Sequence, residues 1–288
     1  MNSVLPRVLL VTDADLSAGS HGAGRALVNL FSPYPAGKLL AISGNAQADF
    51  AMEGEHPVLA GAPGLPGRIV RPLRRLFGDV DATWARWRPL RGRNVVTAFD
   101  PQVIVATPVT SLGVALAEQY QASAPLVTYI MDDWFDYLST VQFAFNSPRR
   151  TRALLRASQG WLAISPYLLD ALRLATGVDR PSLIVQNPVP LGDNEPTALS
   201  APRTGRFRVA YSGSVWPMHW DALAAVAGSV ARLREGGVDI EFVLRTRDDF
   251  WRRHEADWRR WGVVDGGLVP YANLSSALGE FDLLLVAS

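Results

Sequence analysis

Two strand–glycine turn–helix units, one in each half of the chain, constrain the fold of this sequence most. Residues 208–223 contain a short apolar strand, a turn at Gly213 and a helical run, and a second unit of the same kind surrounds Gly22 and Gly24. Glycine permits the tight turn that joins a strand to the next helix. Two such units, each opening its own α/β half, predict two domains that face each other across a cleft.

Strands and helices alternate along both halves. In the first half the patterns predict strands at residues 8–12, 39–43, 103–107, 126–131, 161–165 and 183–186, and helices at residues 23–31, 111–120, 148–157 and 166–175. In the second half they predict strands at residues 207–212, 240–245, 268–269 and 282–286, and helices at residues 220–233, 248–261 and 274–280. Residues 44–67 are predicted to be a loop. Regular alternation of this kind is typical of doubly wound parallel sheets.

A proline-rich segment separates the two halves. It holds four prolines between Asn187 and Gly205 and has no hydrophobic periodicity. The predicted organisation is a first domain at residues 1–187, a linker at residues 188–205 and a second domain at residues 206–288. The second domain is short and ends on an apolar strand, and an unpaired strand edge promotes aggregation. We therefore expect this domain to be incomplete.

The composition is that of a globular protein without a bulk attraction to nucleic acid. Hydrophobic residues make up 48% and charged residues 19% of the chain, and the net charge is +1. There is no cysteine, which excludes disulfides, thiolate zinc sites and a cysteine nucleophile. No run approaches the ~20 apolar residues that span a bilayer. Together with the lack of a signal-peptide core, this predicts a cytoplasmic protein.

Several short motifs, taken in order along the chain, carry a resemblance to a known protein family. Those that carry the resemblance are Gly19-Ser20-His21-Gly22-Ala23-Gly24 after the first strand, Phe99-Asp100-Pro101-Gln102-Val103-Ile104, Tyr129-Ile130-Met131-Asp132-Asp133-Trp134, Ala163-Ile164-Ser165-Pro166-Tyr167-Leu168, Gln186-Asn187-Pro188-Val189, Tyr211-Ser212-Gly213-Ser214, Val269-Pro270-Tyr271-Ala272-Asn273-Leu274 and Phe281-Asp282-Leu283-Leu284. Their order over the whole chain is similar to that of GT-B glycosyltransferases, and most like family 4 and its teichuronic-acid-synthesis relatives.

The resemblance implies a GT-B fold of the α/β class, in which two Rossmann-like, doubly wound parallel-sheet domains face each other across a cleft. It also implies transfer of a sugar, with retention, from a nucleotide-sugar to a glycan or lipid-linked acceptor in bacterial envelope or extracellular polysaccharide synthesis. The first domain would bind the acceptor and the second the donor. No cofactor and no metal are expected, with the nucleotide-sugar as substrate. The alternative is a catalytically inactive GT-B-like module that binds a sugar or nucleotide or supports a partner enzyme.

One departure from the family pattern favours that alternative. The family usually carries an arginine and a lysine after the donor-domain glycine turn, whereas residues 214–219 contain neither, and the only lysine is Lys38. His219 could supply the missing positive charge when protonated, or could be a helix residue without a ligand. The family's glutamate pair near the donor sugar has no counterpart within the 288 residues.

Candidate residues of the first domain follow its strands. Gly22 and Gly24 could present backbone N–H groups to a diphosphate or sugar, or form only a tight turn. His21 could bind the same group or be an exposed loop residue. Asp132 and Asp133 end a predicted strand, at the sheet edge that faces the ligand crevice, and could orient or deprotonate an acceptor hydroxyl. Their alternative roles are a helix cap at Trp134 and, less favoured, a metal site.

Further binding residues are proposed on both sides of the linker. In the first half these are Ser165, for which helix capping is the alternative, and Asn187. In the second half Gly213, Ser214 and Tyr271 belong to the matching motifs. Arg245 follows a strand and could contact phosphate or ribose, or could pair with Asp248 or Asp249.

A basic stretch bounded by Arg68 and Arg93 has eight arginines, two aspartates and interleaved apolar side chains. This composition predicts either a surface that rests on an anionic membrane or a solvated helical hairpin. If the stretch rests on a membrane, the predicted cytoplasmic protein is also peripheral to the inner face of that membrane. No nucleic-acid recognition module is visible, so a nucleic-acid partner is not expected.

Overall fold

The computed structural model describes residues 5–16, 22–43, 58–60, 93–132, 148–188, 205–270 and 273–287. The chain divides into two compact units, Met1–Val189 and Pro190–Ser288. The boundary between them lies within the proline-rich segment. The stretch from Arg68 to Arg93 lies outside the described residues except for Arg93 itself.

The first unit is built on a parallel sheet of seven strands. They are β1 (Val8–Thr12), β2 (Leu39–Ser43), β3 (Val58–Ala60), β4 (Val103–Thr107), β5 (Leu126–Ile130), β6 (Gly160–Ala163) and β7 (Ser182–Ile184). The order across the sheet is β3-β2-β1-β4-β5-β6-β7, and every neighbouring pair is parallel. The chain therefore winds outward from β1 in one direction and from β4 in the other.

Helices cover both faces of this sheet. They are α1 (Ala23–Phe31), α2 (Arg93–Phe99), α3 (Ser111–Tyr120), α4 (Pro148–Ala157) and α5 (Pro166–Thr176). The side chains of α1 pack with Leu10, Leu39 and Tyr129 on one face. Helices α2 to α5 pack with Leu9, Ile104 and their neighbours on the other. Because both faces are buried, the central strands are apolar throughout rather than alternating.

The second unit has a parallel sheet of four strands. They are β8 (Phe207–Ser212), β9 (Ile240–Arg245), β10 (Val264–Asp265) and β11 (Leu283–Leu285), in the order β10-β9-β8-β11. Its helices are α6 (Pro217–Glu235), α7 (Asp248–Arg253), α8 (Glu255–Arg260) and α9 (Leu274–Leu278). The core of this unit joins Phe242 and Leu244 of β9 to Leu223 of α6 and to the buried Trp258 of α8.

The structure corrects several predicted elements of the second unit. The strand predicted at residues 268–269 is wrong: it lies at Val264–Asp265, before a glycine pair in which Gly267 has φ 62°. The helix predicted at residues 220–233 begins three residues earlier, with Pro217 in its first turn, where proline is favoured, and ends at Glu235. The helix predicted at residues 248–261 is interrupted at His254, which has φ −127° and ψ 20°.

Two elements of the first unit escaped the pattern analysis. Strand β3 lies in the segment predicted to be a loop, where Ala41 to Ser43 of β2 supply its backbone partners. Helix α2 follows the basic stretch and was not assigned. Both are short, and long-range pairing or packing decides such segments more than local composition does. Within the part of the chain that the structure describes, no helix combines the length and the apolar character needed to cross a membrane.

Candidate functional site

The carboxyl ends of the first unit's strands bring most of the predicted residues to one sheet edge. The ends of five neighbouring strands are aligned with one another. The sheet register pairs Thr12 with Thr107, Ala106 with Thr128, Ile130 with Ala163, and Ala163 with Ile184. Asp13, Pro108, Asp132, Ser165 and Gln186 therefore follow one another along this edge. In open α/β sheets ligands bind at this edge, in the crevice where the winding direction reverses. Here that point lies between β1 and β4.

The point of reversal is occupied by a carboxylate that the sequence analysis missed. The backbone N–H of Val109 donates to Oδ1 of Asp13 at 2.7 Å, and that of Thr110 donates to Oδ2 at 2.9 Å. The Thr110 hydroxyl also donates to Oδ2. Burial raises the pKa of Asp13 more than these hydrogen bonds lower it. An acidic residue directly after an apolar first strand is the sequence signal that could have indicated this position.

Gly22 and Gly24 lie at the start of α1, the helix that follows β1 in the chain. Gly22 is the N-cap residue, with φ 55° and ψ −128°, a conformation that is open to glycine and costly for other residues. As a glycine, Gly22 contributes no side-chain cap to α1. Gly24 is buried in the first turn. The geometry fits both the tight turn and a set of N–H groups that face a ligand.

Asp132 is exposed at the end of β5, two strands away from Asp13. Neighbouring strands are about 4.8 Å apart, so these two residues are separated by roughly 10 Å along the edge. Although the residue as a whole is exposed, partial burial of its carboxyl group raises the pKa of Asp132 above its ordinary value. A raised pKa brings a carboxyl group closer to the range in which it exchanges protons near neutral pH, as an acid–base residue must.

Ser165 and Asn187 follow the next two strands and differ in what they contact. The hydroxyl of Ser165 accepts a hydrogen bond from the N–H of Leu168 at 3.2 Å, so Ser165 is the N-cap of α5. That is the capping role given above as its alternative. Asn187 is exposed, and the neighbouring Pro188 carbonyl accepts a hydrogen bond from the side chain of Asn29 at 3.1 Å.

In the second unit the winding direction reverses between β8 and β11, and the glycine turn lies at this point. Gly213 and Ser212 are exposed, and the N–H of Gly213 donates to the Arg245 carbonyl at 3.0 Å. The hydroxyl of Tyr211 donates to the Ser214 carbonyl at 2.9 Å. Nδ1 of His219 lies 2.8 Å from the same carbonyl, which defines Nδ1 as the protonated nitrogen of the neutral ring.

The side chain of Arg245 is held by contacts within the second unit. One of its terminal nitrogens donates to the Gly266 carbonyl at 3.1 Å, and its guanidinium lies 5.4 Å from the centre of the Phe281 ring. The predicted alternative, pairing with Asp248 or Asp249, is wrong. Arg252 pairs with Asp248 and Arg247 with Asp249 instead.

Three predicted residues, His21, Asp133 and Tyr271, lie outside the described residues, as does almost all of the basic stretch. In the ranges that are described, no three His, Asp or Glu side chains come together as a group that could hold a metal ion. Two open depressions, of about 380 and 580 Å³, lie between the ends of α3 and α4 and beside Leu126, at the start of β5. They are at the opposite edge of the sheet and contain none of the predicted site residues.

Comparison with solved structures decides the fold. A sucrose-phosphate synthase from Thermosynechococcus elongatus aligns with 96% of this chain and 74% of its own, with a TM-score of 0.64 and 12% identity. The lipopolysaccharide outer core galactosyltransferase WaaB aligns with 97% of this chain and 74% of its own, with a TM-score of 0.54 and 13% identity. The chain has the GT-B fold.

A third structure with this fold contains a nucleotide. MnaA from S. aureus, in complex with UDP, aligns with 97% of this chain and 74% of its own, with a TM-score of 0.53 and 7% identity. No protein-family profile matches the chain, and no curated protein matches it. At these identities the similarity establishes the GT-B fold alone, and membership of family 4 stays a prediction.

Proposed function

We propose that this GT-B protein is a glycosyltransferase. It binds a nucleotide-sugar at the carboxyl edge of β8 and transfers the sugar to a glycan or lipid-linked acceptor in bacterial envelope or extracellular polysaccharide synthesis. The observation that carries the proposal is the exposed glycine turn at Gly213, which lies directly before α6 at the point where the second sheet reverses its winding. WaaB is named as a galactosyltransferase, which agrees with this class of reaction.

The start of α6 is suited to an anionic ligand. The helix has 19 residues, and its N-cap residue, Trp216, makes no side-chain capping hydrogen bond. The dipole of a helix favours a phosphate group at this end. The exposed Gly213 lets a ligand approach the backbone closely.

His219 takes the place of the family's basic residues in this proposal. Residues 212–220 contain no lysine or arginine. Because Nδ1 of His219 is engaged by the Ser214 carbonyl, Nε2 is the nitrogen that remains for a phosphate oxygen, and protonation there adds a positive charge. Arg245 supplies a second positive charge at the same edge, from the neighbouring strand β9.

Asp132 serves the acceptor in the first unit. The residue lies at the carboxyl edge of β5, and its raised pKa suits a group that orients and deprotonates a hydroxyl. Retention of configuration and the absence of a cofactor follow from the resemblance to family 4. The only substrates are then the nucleotide-sugar and the acceptor.

The first test is calorimetric titration of the protein with UDP, GDP and ADP. We expect one of them to bind, and the variant His219→Gln to bind it roughly tenfold more weakly, as for loss of one charge-assisted hydrogen bond. Ser165→Ala is the matched control, because it removes a helix cap in the first unit and should leave the nucleotide affinity unchanged. Binding of none of the three nucleotides would contradict the proposal.

The second test measures product formation with sugar donors of the nucleotide that binds. Asp132→Asn keeps the size of the side chain and removes its charge, so the rate should fall by ~10²-fold or more while nucleotide affinity is retained. Asp133→Asn should have a smaller effect if that residue only caps a helix. Nucleotide binding without turnover by the wild type would favour the inactive binding module.

Contact with the inner face of the membrane is a separate part of the proposal, and it rests on the basic stretch of the sequence alone. We expect the protein to sediment with anionic liposomes and to be released as salt rises, because exposed charges are screened. Exchange of Arg71, Arg74 and Arg75 for glutamate should abolish sedimentation. Equal sedimentation of this variant would rule out membrane binding through these residues.

A further inference from the structure

The Asp13 carboxylate accepts hydrogen bonds from the backbone N–H groups at the start of α3. Its two carboxylate oxygens accept the N–H groups of Val109 and Thr110, and Thr110 is the N-cap residue of α3. The Thr110 hydroxyl in turn accepts the N–H of Leu112 at 3.2 Å. An anion at a helix start is stabilised by these donors and by the helix dipole, and here that anion is a side chain of the protein.

The surrounding residues hold Asp13 in this position. The Thr12 hydroxyl donates to the Thr107 carbonyl at 2.7 Å and accepts the N–H of Ala14 at 3.0 Å. The Ser43 hydroxyl donates to the Ala14 carbonyl at 2.9 Å. These bonds connect the carboxyl ends of β2, β1 and β4, so the strand ends on both sides of the reversal point are joined around the carboxylate.

The packing leaves no room for a second anion. A Cβ atom at Gly113 of α3 would collide with Oδ1 of Asp13 and lie 2.6 Å from Cα of Pro108. The carboxylate therefore sits against the helix backbone itself. A phosphate group could reach the same N–H groups only by displacing Asp13.

We propose that Asp13 is a specificity-determining residue: its carboxylate fills the anion position at the reversal point of the first sheet and excludes phosphate groups from it. Building on the proposed function, the nucleotide diphosphate is thereby left with the start of α6, where the N-cap residue, Trp216, supplies no carboxylate. The first unit keeps the rest of its carboxyl edge, including Asp132, for an acceptor.

The test replaces the side chain with a free anion of the same chemistry. Asp13→Gly removes a carboxymethyl group, which acetate can restore. The midpoint of thermal unfolding is measured in sodium acetate and in sodium chloride at equal ionic strength, and again with inorganic phosphate. We expect a lowered midpoint for the variant in chloride and a saturable rise of about 2–4 °C in acetate, the size expected for a weakly bound ligand. The wild type should not respond to acetate, and its response to phosphate, through the proposed site at α6, should be smaller than that of the variant, which gains a second anion position.

Ser165→Gly is the matched control, because it empties the cap position of α5 without removing a carboxylate. It should lose stability without gaining a response to acetate. If Asp13→Gly and Ser165→Gly respond equally, or if Asp13→Gly melts like the wild type in both salts, the assignment is wrong.

A second variant covers the case in which Asp13→Gly does not fold in either salt. Asp13→Asn keeps the volume but turns one acceptor into a donor that faces backbone N–H groups, so its midpoint should be below that of the wild type. An unchanged midpoint would overturn the proposal.

UDP affinity is measured in parallel: a variant with an acetate response and wild-type UDP affinity supports the assignment, whereas weakened UDP binding would place the nucleotide near Asp13. Absence of UDP binding in the wild type bears on the proposed function and leaves the acetate result unaffected.

Discussion

The surroundings of His254 disfavour the protonated form of its ring. Its ring stacks on Trp220 with 3.9 Å between the ring centres and meets Trp258 edge-on at 6.2 Å. Burial lowers the pKa of His254, Arg253 lowers it further, and Asp257 opposes both. The other charged neighbour in sequence, Glu255, is paired with Arg259. The folded protein therefore favours the neutral ring.

This lowered pKa predicts a loss of stability on acidification. The unfolded chain takes up a proton at His254 near pH 6.5, whereas the folded chain does so only at a lower pH. The free energy of unfolding should fall as the pH drops from about 6.5 to the pKa of the folded state, and His254→Gln should lack this part of the dependence. The measurement is urea unfolding at pH 7.5 and 5.5, with His219→Gln as the control. An equal pH dependence of His254→Gln and the wild type would contradict the expectation.

At the scale of elements, a side chain from outside α3 determines which residue this helix can carry at one position. Gly113 lies inside α3, where glycine ordinarily weakens a helix by about 1 kcal/mol relative to alanine. Here the missing side chain is needed, since Asp13 and Pro108 occupy the space that a Cβ atom would take. Gly228 of α6 is the contrasting case, because its nearest neighbours would be Arg232 and Trp261 at 3.7 and 3.8 Å, ordinary contact distances.

The two glycines should respond to alanine in opposite directions. We expect Gly113→Ala to lower the free energy of unfolding by about 1–3 kcal/mol, because the added methyl group overpacks a site that includes backbone atoms. Gly228→Ala should raise it by up to about 1 kcal/mol through helix propensity. Chemical denaturation of both variants beside the wild type measures the difference. A stabilised Gly113→Ala would mean that Asp13 and α3 are not in contact.

At the scale of the whole molecule, the first unit has the covered sheet and the buried core of an independently folding domain. Its seven-stranded sheet is covered on one face by α1 and on the other by α2 to α5, each with its own group of buried side chains. The chain segment from Met1 to Val189 contains all of these elements. Its size lies within the ordinary range of single domains.

We therefore expect residues 1–189 to fold without the rest of the chain. Far-ultraviolet circular dichroism should show mixed helix and strand content, and heating should give one cooperative transition. The control is the same segment with Leu9→Asp, which places a charge at a fully buried position of β1 and should abolish the transition. A non-cooperative melt of the unsubstituted segment would show that the first unit depends on the second.

Local patterns alone determined most of the elements and the fold class. Strands β1, β2, β4, β8 and β9 and helices α1, α3 and α4 begin and end where the patterns predict. This is because buried parallel strands are continuous apolar runs, and amphipathic helices carry their period in the sequence. The end of a predicted strand also placed Asp132 at the carboxyl edge of the sheet, and the register agrees with this.

Tertiary structure decided what depends on distant partners. The short strand β3 exists through β2, and the break at His254 accompanies a stack on Trp220 from another helix. The role of Asp13 comes from Val109 and Thr110, nearly a hundred residues further along the chain. Ser165 could be named as a cap from its sequence because capping is local, whereas Asp13 could not be assigned to α3 because only the folded sheet places β1 beside β4.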